Sequence, residues 1–69
     1  MNQYYSHFMG AKFVKLGEHY INVQHIISVG RSTNKDRDGM TEIFLLNGGA
    51  KYVDASVDVV MRNIVERVS

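Results

Sequence analysis

Residues 40–54 read MTEIFLLNGGAKYVD, an apolar run, a turn and a second apolar run within fifteen positions. Asn47-Gly48-Gly49 supplies the residues that tolerate positive φ, so Met40–Leu46 and Ala50–Asp54 are expected to fold back on each other as antiparallel strands. Alternation along the first strand puts Thr41, Ile43 and Leu45 on one face and Met40, Phe44 and Leu46 on the other, with Glu42 as the second face's single charge. In the partner strand Val53 opposes Ala50 and Tyr52. Both faces of this hairpin are therefore apolar, and each needs cover.

Toward the N-terminus, residues 31–39 (RSTNKDRDG) contain no apolar side chain and end in Asp-Gly, which predicts a solvated connection. Ile26-Ile27-Ser28-Val29-Gly30 before it is rich in β-branched residues and reads as a strand, and Asn22–His25 as a kink or reversal leading into it. Earlier still, Phe13-Val14-Lys15-Leu16 and His19–Val23 flank Gly17-Glu18, a pair suited to a II′ hairpin turn because glycine takes positive φ at the first turn position without strain. Val14 and Leu16 face one way and Phe13 the other. Toward the C-terminus, Val57, Val60, Met61, Ile64, Val65 and Val68 recur at helical spacing, with Ser56 as N-cap, Asp58 in the first turn and Arg67 in the last. The expected fold is α+β: a four- or five-stranded antiparallel meander, strongly curved and small-barrel-like, followed by one amphipathic helix.

One such helix covers only one face of a sheet. Either the sheet curls up, or an uncovered face meets another copy, the N-terminal aromatics Tyr4, Tyr5 and Phe8, or a separate partner. The reading favours self-association through Phe13, Met40, Phe44, Leu46 and Tyr52. Sixty-nine residues allow one domain, over 12–69, with residues 1–11 expected as a flexible arm because their polarity is mixed and without period. The chain has no cysteine, which excludes disulfides and thiolate metal or nucleophile chemistry. Its longest aliphatic or aromatic run, Ile43–Leu46, is far below the roughly 20 residues that span a bilayer, and no secretory pattern opens the sequence; a cytoplasmic location is expected.

Eight basic against seven acidic residues give a formal charge of +1, so any attraction for nucleic acid must be local. Arg31, Lys35 and Arg37 in the polar connection, with Lys12 and Lys15 on the first strand, form the candidate phosphate contacts, and Tyr4, Tyr5, Tyr20, Phe44 and Tyr52 the candidate stacking faces. Asp36 and Asp38 lie between the loop cations and oppose that role. Asn34, Asp36, Asp38 and Gly39 match the opening of a calcium loop, but its closing position is Leu45 instead of glutamate, so an ordinary charged loop is expected. His7, His19 and His25 are separated by 12 and 6 residues, which fits no compact metal site, and no serine sits in a nucleophile-elbow pattern. No cofactor, metal or catalytic residue is expected.

From Phe13 onward, Phe-Val-Lys-Leu, Tyr20-Ile21-Asn22, Ile26 with Val29, Thr41-x-Ile43-x-Leu45, Asn47-Gly48, Tyr52-Val53 and Ser56-Val57 together resemble the FlbD/SwrD group of small motility-associated proteins. Related patterns resemble short phage and mobile-element proteins. The FlbD/SwrD resemblance covers about four fifths of the chain and implies a small cytoplasmic accessory protein that acts by binding, without catalytic residues. In shape alone the expected sheet is also similar to Sm-like small barrels, which implies the alternative of a ring that binds RNA or DNA through the basic loop.

Overall fold

A computed structural model gives the fold of residues 12–69; the arm expected over 1–11, with Tyr4, Tyr5, His7 and Phe8, lies outside the described residues. Five antiparallel strands are followed by one helix: β1 (Phe13–Leu16), β2 (His19–Asn22), β3 (Ile26–Arg31), β4 (Thr41–Leu45), β5 (Ala50–Val53) and α1 (Val57–Val68). Gly17 takes φ 62° with no positive φ at Glu18, so the β1–β2 hairpin turns as its Gly-Glu pair demands. At the other hairpin, the Gly48 N–H donates to the Leu45 carbonyl and the Leu45 N–H to the Gly49 carbonyl, both at 2.9 Å. Gly48, at φ 89°, is thus the left-handed residue of a three-residue loop, and the Asn47 side chain braces it by accepting the Gly49 N–H at 2.8 Å.

The strands do not make one curved meander, and the expected barrel is not closed. They form two sheets, β1-β2 and β3-β4-β5. The break lies at Val23–His25, a single 3-10 turn capped by Asn22, whose side-chain oxygen accepts the Gln24 N–H at 2.9 Å. This turn takes the chain out of β2 before a ladder to β3 can form. Single backbone bonds flank it instead, from the Val23 N–H to the Lys12 carbonyl and from the Leu46 N–H to the His25 carbonyl, each 2.9 Å.

The core joins the two sheets through α1. Val14, Leu16 and Ile21 of the hairpin, Ile43 and Val53 of the larger sheet, and Val60 and Ile64 of the helix are buried together. Ser56 caps α1 by accepting the Val59 N–H at 3.2 Å, and the Arg67 Nε donates to the Phe13 carbonyl at 2.6 Å, tying the last helical turn to β1. The helix packs on β1 and β3 along a narrow line. For that reason the six-residue apolar stripe is not buried as a whole: Met61, Val65 and Val68 remain 40–52% exposed. Val60 and Ile64 carry the contact, each contributing about 1.5–3 kcal/mol.

β3 holds an irregularity that serves this core. Ile26 and Val29 both pack against it, yet a regular strand places residues three apart on opposite faces. The ladder resolves the conflict with a bulge: Ile26 pairs with Leu45 and Ser28 with Phe44, leaving Ile27 as the extra residue.

Candidate functional site

The face of β3-β4-β5 turned away from the core divides into two ends. At the β4 N-terminal end Glu42 pairs with Tyr52 across the ladder. The Tyr52 hydroxyl donates to Glu42 Oε2 at 2.9 Å, and Thr33 Oγ1 donates to Oε1 at 3.4 Å. The Arg37 guanidinium carbon stands 5.7 Å from the centre of the Tyr52 ring. The polar connection thus folds back over the sheet and seals Glu42, leaving it 5% exposed. Its own shape comes from Asn34, whose side chain accepts the Asp36 N–H at 2.9 Å to cap a 3-10 turn over Lys35–Arg37. The oxygen that resembled a calcium ligand is spent on the loop itself.

The other end is bare. Phe44 is 43% exposed, Ile27 61% and Leu46 64%. The bulge brings Ile27 and Ser28 together opposite Phe44, and Leu46 is held at the same end by its bond to His25. Phe44 and Leu46 of the expected interface therefore lie at this end. Ile27 joins them, and the spacing of Ile26 to Val29 is the sequence signal that could have found it.

The remaining expected interface residues lie elsewhere. Tyr52 is half-buried beneath Arg37. Met40 is half-buried in a 340 Å³ cleft with Arg31, Thr41, Ser56 and Asp58, and Phe13 is half-buried on β1 in the other sheet. Among known proteins, no family model matches the chain, and no curated protein or solved structure is significantly similar to it.

The expected phosphate contacts are dispersed. Arg31 lines the cleft beside Asp58, Lys35 a 280 Å³ depression with Asp38, and Arg37 is stacked on Tyr52. Lys15 stands over Tyr20 at 5.8 Å on the β1–β2 hairpin, and Lys12 precedes that hairpin, exposed. The cleft at Arg31 and the depression at Lys35 include neither Lys12 nor Lys15. Nor do three histidine or acidic side chains among the described residues converge in a way that could hold a metal ion. No helix of the described residues is long and apolar enough to cross a membrane.

Proposed function

We propose that this chain is a non-enzymatic accessory protein that works as a homo-oligomer, with the bare end of the outer sheet face as its contact surface. One observation carries the reading. Among the described residues eight large apolar side chains are exposed, against seven hydrophobic residues in the core. Three of the eight, Ile27, Phe44 and Leu46, lie at one end of one sheet, where exposed apolar surface favours association over hydration. A second copy is the proposed occupant, because a patch that lies on a two-fold axis covers its own counterpart. The FlbD/SwrD resemblance implies the same kind of action, through binding.

Sedimentation of Phe44→Glu beside the native chain tests this. The variant is expected to run as a single protomer with an unchanged far-ultraviolet spectrum, since a ring 43% exposed can give way to a charge without emptying the core. A variant that assembles like the native chain would overturn the proposed contact.

A further inference from the structure

The β1–β2 hairpin carries a second surface of different chemistry. Tyr20 is 70% exposed, the most exposed large hydrophobic or aromatic residue among those described. Its ladder partner is Lys15, whose amine stands over the ring, so both side chains rise from the hairpin face opposite Val14 and Ile21. Tyr20 and Phe13 form a ridge shared by two open troughs. The first, about 400 Å³, also holds Glu18, His19, His25 and Lys51. The second, about 510 Å³, also holds Lys15, Glu66 and Arg67. Lys51 belongs to β5 and Arg67 to α1, so three separate elements bring cations to the two sides of one aromatic ridge.

We propose that this ridge binds single-stranded nucleic acid, with a base stacked on Tyr20 and phosphates held by Lys51 in one trough and by Lys15 and Arg67 in the other. An exposed stacking face with a basic side chain on each side, Lys51 beside Glu18 in the first trough and Lys15 and Arg67 beside Glu66 in the second, is an arrangement that single strands use, because every base offers a π-face and the backbone runs past it. Glu18 and Glu66 keep the surface from attracting polyanions strongly, which limits it to short, weakly held strands. A duplex buries its base faces and gains little from the ridge. The site differs from the one expected in the Arg31–Gly39 connection, where Tyr52 is half-buried while Tyr20 is 70% exposed and keeps a ring face open beside Lys15, and it is independent of the assembly surface at Phe44.

Fluorescence anisotropy with labelled twelve-nucleotide oligo(dT) and oligo(U) tests it. At 50 mM salt the native chain is expected to bind at least one of them, and a fourfold rise in salt to weaken binding about 20-fold if three phosphates are contacted. Tyr20→Ala is expected to weaken it about tenfold, Tyr20→Phe to leave it near native, and Lys51→Glu to weaken it and flatten the salt dependence. A preference for oligo(U) or oligo(dT) would assign the strand as RNA or DNA. Absence of salt-dependent binding at 50 mM would overturn the proposal. So would native affinity in both Tyr20→Ala and Lys51→Glu, or a loss produced by Lys35→Ala in their place.

Discussion

Glu42 and Phe44 stand two residues apart on the same face of the same strand, and their environments are inverted. The carboxyl group is sealed at 5% exposure while the phenyl ring is left at 43%. Burial here follows what the rest of the chain folds over, more than side-chain polarity. The Ser32–Met40 segment closes on Glu42, and it is held there by the Ser32 N–H on the Met40 carbonyl at 2.9 Å, by Thr33 and Tyr52 at the carboxyl group, and by Arg37 over the Tyr52 ring. Nothing among the described residues comparable reaches Phe44. A polar group is worth sealing when its donors are supplied, whereas an apolar one left open favours a partner.

The contrast is sharpest against the opposite face of β4. Ile43, between the two, is fully buried among Val14, Leu16, Val53 and Val60. Ile43→Ala is expected to lose about 3 kcal/mol in urea unfolding, by far more than Phe44→Ala measured on the protomer, and a comparable loss for both would erase the distinction between closed and open faces. Glu42→Ala comes next, at about 2 kcal/mol, because it leaves the half-buried Tyr52 without the acceptor of its hydroxyl and empties a buried position. If Glu42→Ala unfolds with native stability, the seal has no energetic content. Arg37→Ala is the mildest, about 0.5 kcal/mol, through loss of the stacking on Tyr52, and the effect should vanish in a Tyr52→Ala background, as a double-mutant cycle would show.

Much of this architecture was legible because it is written locally. Gly17, the Asn47–Gly49 run and Ser56 mark two turns and a cap by their own chemistry, and the strands and helix begin and end beside them. What escaped is long-range. Separation into two sheets depends on whether β2 finds β3 after the Asn22-capped turn, and helical periodicity gives the apolar stripe without saying how wide a contact it will meet. The Arg67 bond to Phe13 joins residues 54 apart. In the site, Phe44 and Leu46 were visible as surplus apolar residues, but the fate of Tyr52 depended on its register with Glu42, and Ile27 on a bulge that only the demands of the core explain. The loop cations looked alike in sequence; the fold gives Arg31, Lys35 and Arg37 three different settings.

The most direct test is molar mass by light scattering on the native chain, diluted from high to low micromolar. Mass is expected to be a multiple of the protomer at the top of the series and to fall toward one copy as it is diluted. A single copy at every concentration, with Phe44 still accessible to solvent, would contradict the claim that the open end of the sheet exists to be covered by another molecule of the same kind.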